Sequence, residues 1–380
     1  MATISNTPRP GYVWDSTDNV WYPIGVGAHQ HTNAADTPAV MPYSTYAAAG
    51  KNKILNGDFN INQRAFTSTT TSATYGFDRW SQTIAGDGTA TYSAQTFTLG
   101  SAPVSGYEGK NFARFVTSGQ TSAAVRTNWI QAIENVRTLA GQTATVSFWA
   151  KAATGTPQMS IELTQYFGAG GSPSSTVIID GGRVALSTSW ARYSVTVSIP
   201  SLSGKTLGTD GADTLGLLLW VSAGSNFASR TGTLGIQNNT FDIWGVQVEA
   251  GSNATAFQTA TGNPASELAA CQRYYFRTSN DSAFAQFGAG VATATDGALI
   301  FMQMPVTMRV APTAVEWSNL RTVDGPNDYG AVSAIAINTY GNNRNITALN
   351  VSDTGYTVYR PMYLQANNNA GAYLAVTAEL

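Results

Sequence analysis

Short runs of alternating apolar and polar residues recur along the chain, separated by turn residues. TATYSAQTFTL, NFARFVTS, TATVSFWAKA, MSIELTQYF, TVIIDG, ARYSVTVSIP, TLGLLLWVSA and FDIWGVQVEA each have strand length. β-Branched and aromatic residues dominate them, which is the composition of half-buried strands. GDG at 86–88 and DGG at 180–182 read as turns between strands. VRTLAGQ, 136–142, reads as a tight connection into TATVSFWAK. Eight or more strands over residues 53–262 predict a double-sheet jelly roll.

The pattern changes on both sides of that block. At 263, NPASELAACQRYY carries helix-start chemistry: Asn263 or Ser266 as cap, Pro264 in the first turn and Glu267 near the positive end of the helix dipole. Strands then return in ALIFMQMPVTM, AVSAIAINTY, ITALNVS, YTVYRPMYL and AYLAVTAEL, so residues 263–380 predict a smaller antiparallel β domain. Residues 1–52 predict an extended arm without a core of its own. Its one regular feature is a hairpin, Tyr12–Trp14 against Val20–Tyr22 across a turn at 15–19, with Trp14 and Trp21 as a cross-strand pair. A lone hairpin is marginal in water, so the arm is expected to gain structure from a partner. The predicted fold class is therefore all-β: an anchoring arm, a jelly-roll sandwich and a C-terminal β domain.

Composition narrows the function. Only 11% of the 380 residues are charged, against roughly 25% in an average soluble domain. Aromatics also make up 11%, which argues against disorder. A surface of Thr, Ser and Asn suits an extracellular or virion setting. The net charge is −2 with no basic run, so nucleic acid is not an expected partner. The longest apolar run, LGLLLWV at 215–221, is too short to span a membrane as a helix. The N-terminus lacks the blocks of a signal peptide, so exit from a cell would be by lysis. The single cysteine, Cys271, reads as a buried small hydrophobe.

Four segments, taken in order, resemble the jelly-roll domain of bacteriophage tail-fibre and minor tail proteins. They are ILNGDFNINQRA with FDRW, WIQAIENVRTLAGQTATVSFWAKA, FDIWGVQVEAGSNATAFQ running into ELAACQRYYF, and MPVTMRVAPT at 304–313. The resemblance covers most of residues 53–313. It implies a sandwich like that of carbohydrate-binding modules, with Ile54 to Ile61 at its edge, TSTTTSAT as a loop at one end, and Phe77 and Trp80 returning as core. It also implies a homotrimer on the virion, assembled in the host cytoplasm, with residues 1–52 binding other virion proteins and Trp14 and Trp21 as anchors.

Sugar-stacking rings must be exposed. Trp80 and Trp149 read as core. Tyr107, Trp129, Tyr166 and Phe167 lie near turn signals and are the candidate glycan-binding residues. The wider family of binding modules often holds a structural calcium after the Asn-Gly turn and in the last strand, which here points to Asp58 and Asp242. Asn60, where that family usually has glutamate, removes one charged ligand. His29 and His31 in GAHQHT stand at i and i+2; three chains would offer six imidazoles, enough for a transition metal. No motif requires a cofactor. Glu134, Glu162, Asp180 and Glu249 fall on different strands, so no acid pair for glycoside hydrolysis is evident, and both histidines lie in the arm, which excludes a Ser-His-Asp set in the β domains. A binding protein is thus expected rather than an enzyme. A virion polysaccharide depolymerase and a head-decorating fibre are the alternatives.

Overall fold

The computed structural model describes residues 12–15, 20–23 and 50–380. The chain divides into two units, Met1–Tyr46 and Ala47–Leu380. In the first, strands β1 (Tyr12–Asp15) and β2 (Val20–Pro23) pair antiparallel, and the backbone register sets Trp14 opposite Trp21. His29 and His31 lie outside the described residues.

The second unit holds two β assemblies. The first contains β3 (Ser68–Thr69), β4 (Ser81–Ala85), β5 (Thr89–Thr96), β6 (Asn111–Ser118), β7 (Arg126–Glu134), β8 (Thr143–Ala152), β9 (Gln158–Tyr166), β10 (Val177–Ala185), β11 (Ala191–Ser198), β12 (Thr214–Ala223) and β13 (Thr240–Ala250). They form a five-stranded sheet, β10-β9-β12-β7-β4, and a six-stranded sheet, β11-β8-β13-β6-β5-β3. Every strand pair in both sheets is antiparallel. The inward-facing residues of the two sheets share one core, with Trp80, Trp129, Trp244, Tyr92, Phe115 and Phe148 fully buried. The predicted all-β sandwich is thus the observed architecture.

An α-helix, α1 (Pro264–Gln272), the only one among the described residues, leads into the second assembly; Asn263 caps it, accepting from the Ser266 amide at 2.9 Å, and Pro264 fills its first turn. Then follow β14 (Tyr275–Ser279), β15 (Gln286–Ala292), β16 (Gly297–Gln303), β17 (Ala314–Ser318), β18 (Leu320–Val323), β19 (Asp328–Ala331), β20 (Ala334–Ile337), β21 (Ile346–Ser352), β22 (Pro361–Ala366) and β23 (Tyr373–Thr377). They make a three-stranded sheet, β14-β23-β17, and a seven-stranded sheet, β19-β18-β22-β15-β16-β21-β20. Their shared core is built of smaller side chains: Ile300, Met302, Met308, Leu349, Met362 and Leu364. Cys271 is fully buried, and burial pushes its thiol pKa well up. Among the described residues no helix is long and apolar enough to cross a membrane.

Two expectations fail. DGG at 180–182 is not a turn between strands. It is a β-bulge inside β10, where the register shifts between Asp180 and Arg183 and Gly182 takes φ +82°. ILNGDFNI is not a strand at the sandwich edge either; it contains no strand. Asn56 and Phe59 both take positive φ, 54° and 56°, which breaks the extended pattern. Side chains replace the ladder: the Leu55 amide donates to Gln131 Oε1 at 2.8 Å, and the Asn56 amide to Glu267 Oε1 at 2.7 Å. A side chain at position 57 would collide with the Val246 carbonyl of β13, so only glycine fits there. Phe77 and Trp80 return to the core as expected.

Candidate functional site

The Asn-Gly turn at 56–57 places Asp58 and Asn60 beside the start of α1. Asn56 is fully buried and acts as the hub. Its side chain accepts from the Ile61 amide and donates to the Ile61 and Asp78 carbonyls, and its own carbonyl accepts from Trp80 Nε1 at 3.0 Å. This fixes the direction in which Asp58 points. Glu267, three residues into α1, is equally fixed: Oε1 accepts from the Asn56 amide, and Oε2 accepts from the amide and hydroxyl of Thr261 at 3.0 and 2.7 Å.

Between these elements opens a cavity of about 380 Å³, lined among others by Asp58, Asn60, Tyr107, Phe257, Asn263 and Glu267. One wall is aromatic. Tyr107 and Phe257 line it, and behind them fully buried Trp244 completes a cluster with ring centroids 5.1–5.4 Å apart; Trp149 lies 5.5 Å from Trp244. The other wall is a carboxylate. Asp58 Oδ2 accepts from Tyr107 Oη at 2.7 Å and from Asn60 Nδ2 at 2.5 Å, while Oδ1 accepts no hydrogen bond. Burial raises the Asp58 pKa above the ordinary carboxylate value, only partly offset by the Tyr107 and Asn60 hydrogen bonds. Burial and the neighbouring Asp58 charge push the Tyr107 phenol upward as well. Apolar rings beside a buried carboxylate with one unpartnered oxygen suit a ligand with C–H faces and hydroxyl donors.

The candidate glycan residues separate on this geometry. Tyr107 is half-buried and lines the cavity. Tyr166 is exposed at the end of β9, away from the cavity lining. Trp129 and Phe167 are fully buried and cannot stack on a sugar. Trp129 lies on the inward face of β7 against Phe115 and Tyr92, so its position next to a turn signal was misleading. The ion candidates separate too. Asp242 is held by a bidentate pair with Arg114, at 2.6 and 2.9 Å, and by Lys151 at 3.7 Å, so a side-chain cation takes the place expected of calcium. Asp58 shares none of these partners. Among the described residues no three His, Cys, Asp or Glu side chains gather as a metal site.

The acids read as scattered have separate partners. Glu134 meets Arg273 and Tyr274, Glu249 meets Thr255 and Gln247, and Glu162 meets Trp220 and Arg230. Asp180 does stand opposite Glu162 across β10 and β9. Sequence reasoning missed Phe257 and Glu267. Phe257 carries no signal beyond its place after the last strand. Glu267 was visible as a first-turn acid, but its reach back to Asn56 was not.

The chain matches no family model and no curated protein sequence. Among solved structures it is similar to a proposed sugar-binding protein from Bacteroides thetaiotaomicron, at 14% identity and a TM-score of 0.34, over 53% of this chain and 100% of that one. It is also similar to a Stig cyclase from Fischerella, at 13% identity and 0.32, over 55% of this chain and 100% of that one. A third is a family 11 carbohydrate-binding module from Clostridium thermocellum, in complex with a mixed-linked tetrasaccharide, at 9% identity and 0.28, over 50% of this chain and 99% of that one. These likenesses are loose; what the pocket can hold is decided by its own side chains.

Proposed function

We propose that the protein is a bacteriophage virion component, a tail fibre or minor tail protein, whose β-sandwich binds a host-surface glycan in the Tyr107 pocket. The observation that carries the glycan half is the buried Oδ1 of Asp58, which accepts no hydrogen bond, beside the Tyr107 and Phe257 rings in the cavity lining. A pyranose can lay its C–H face on the rings, and a small shift of the lining would let it donate a hydroxyl to the buried carboxylate. The virion half is supported by the ordered motifs from ILNGDFNINQRA to MPVTMRVAPT. The arm, residues 1–52, would fasten the chain to its neighbours in the particle.

The test is binding of full-length protein to a panel of bacterial surface polysaccharides. Tyr107→Ala and Asp58→Ala should each weaken binding about tenfold or more, since a hydrogen bond to a charged group contributes about 1.5–3 kcal/mol. Tyr166→Ala should leave it unchanged. Equal loss in all three, or none in the first two, overturns the pocket. Release of reducing ends would favour the depolymerase instead. Imaging of intact particles decides between tail and head, and a chain lacking residues 1–50 should fold yet fail to incorporate.

A further inference from the structure

Six carboxylates are buried among the described residues: Asp58, Asp78, Glu162, Asp242, Glu249 and Glu267. Four of them face a cation. Asp78 has Arg64 at 3.8 Å, Glu162 has Arg230 at 2.5 Å, Asp242 has Arg114 at 2.6 Å, and Glu249 has Lys51 at 3.4 Å. Asp58 and Glu267 have no such partner among the described residues, and these two line the same cavity. They hold only neutral donors: Tyr107 and Asn60 on Asp58, the Asn56 amide and Thr261 on Glu267. No Lys, Arg or His stands in the cavity lining. Burial, then the charges of Asp58 and Glu267, push the Tyr107 phenol pKa upward, so both carboxylates act on this ring. Asp58 Oδ1 is buried and accepts no hydrogen bond. A buried charge without a counterion is costly, because protein replaces the water around it without supplying opposite charge. The chain supplies that charge at four sites and omits it at the cavity.

We infer that the ligand of this cavity is a cationic glycan, one whose sugar carries a free amino group in place of the acetamide. The inference rests on the glycan reading of the Tyr107 pocket and names the class of sugar. The ammonium supplies the missing counterion to Asp58 and Glu267, with the same small shift of the lining that a hydroxyl requires. An ammonium has three donors and no acceptor, so it can serve Asp58 Oδ1 without displacing Tyr107 and Asn60 from Oδ2. A hydrogen bond between two charged groups is stronger than one from a neutral hydroxyl, which separates this sugar from a neutral one. The aromatic wall favours the same charge, since a cation is attracted to the electron-rich face of a ring such as Tyr107 or Phe257. Two carboxylates without a cation repel an acidic sugar, so the lining also selects against a class of competitor. The cavity, about 380 Å³, lies within the ~300–1,000 Å³ of small-molecule sites.

The test is calorimetric titration of the full-length chain with matched oligomers of glucosamine and of N-acetylglucosamine. The wild type should bind the glucosamine oligomer about tenfold or more tightly than its acetylated counterpart. That comparison needs no variant. Asp58→Asn should bring the two oligomers to within about twofold of each other, Glu267→Gln should narrow the preference, and Tyr166→Ala should keep it. The preference should survive about 0.5 M salt, because a buried pair is screened far less than a surface one. A preference that vanishes in salt and ignores Asp58→Asn is adsorption of a cationic polymer to a chain of net charge −2, and overturns the inference. Equal affinity for the two oligomers, or tighter binding of a neutral or acidic polysaccharide in the Tyr107 pocket, overturns it and leaves the glycan reading standing. Absence of binding to both oligomers and to every polysaccharide of the panel removes both. A simple diamine that competes as well as the amino sugar, or calcium that binds the wild type but not Asp58→Asn, would assign the carboxylates to a plain cation and overturns the inference as well.

Discussion

The five-stranded sheet of the sandwich and the seven-stranded C-terminal sheet each have an outer face, and the chain treats them in opposite ways. On the first, β12 carries Leu218 and Trp220 outward, and residues 224–236 fold back across them. Phe227 lies 5.6 Å from Trp220, ring to ring, and Arg230 reaches Glu162. Trp220 ends fully buried and donates to Glu162 at 3.1 Å. On the second, β16 carries Leu299 and Phe301 outward, and nothing comparable crosses Phe301, which stays 45% exposed. The two strands have similar sequences, TLGLLLWVSA and GALIFMQ. Two-sided apolarity in a strand therefore does not say whether the chain supplies a cover for both of its faces.

The largest effect that tests this contrast is a pair of truncations. Trp220→Ala should cost about 3–5 kcal/mol of unfolding free energy, because it opens a cavity under the covering segment. Phe301→Ala should stay within about 0.5 kcal/mol, as for an exposed position. Urea titrations of both variants check it. Equal costs would mean that the C-terminal face is covered within the monomer.

A smaller effect isolates the covering segment. Glu162→Gln removes the charge that holds Arg230 at 2.5 Å. The carboxylate is fully buried and the guanidinium about a quarter exposed, so the cost should be about 2 kcal/mol rather than the larger penalty of a wholly buried pair. The loss should appear together with faster hydrogen exchange in residues 224–236. Exchange confined to other segments would show that Arg230 does not fasten this one.

These covers mark where sequence reasoning ran out. The strands with clean alternation, such as β5 and β11, were readable because period two is a local property. The helix start at Asn263 was readable for the same reason: capping needs only neighbours. ILNGDFNI misled because its backbone is satisfied by Gln131 and Glu267, 76 and 211 residues distant, and no local pattern encodes such partners. Of the pocket, Tyr107 and Asp58 were legible one by one as residue types. Their hydrogen bond spans 49 residues and was not. Trp129 failed for the complementary reason: a turn signal nearby says nothing about which side of the sheet a residue faces.

The smallest effect separates the two regions by pH. Burial raises the Asp58 pKa, so the folded chain keeps that proton to a higher pH than the unfolded chain does. The folded state then binds more protons, and stability falls as pH rises from about 4 through the raised value. Asp78 is raised by burial as well and adds the same sign, so the measured quantity is wild type minus Asp58→Asn. That difference should decline with rising pH across this window. Asp87 and Asp324 act oppositely. Hydrogen bonds from Thr121 and from Tyr329 hold them at about 2, so their contribution is lost only below about pH 4. The outer face of the C-terminal sheet has no carboxylate or imidazole on its four central strands, so the stability difference between wild type and Phe301→Ala should be flat from pH 4 to 7. Denaturation of wild type, Asp58→Asn and Phe301→Ala at several pH values measures both differences together. A Phe301→Ala difference that tracks the Asp58 titration would tie the regions to each other and end the contrast between them.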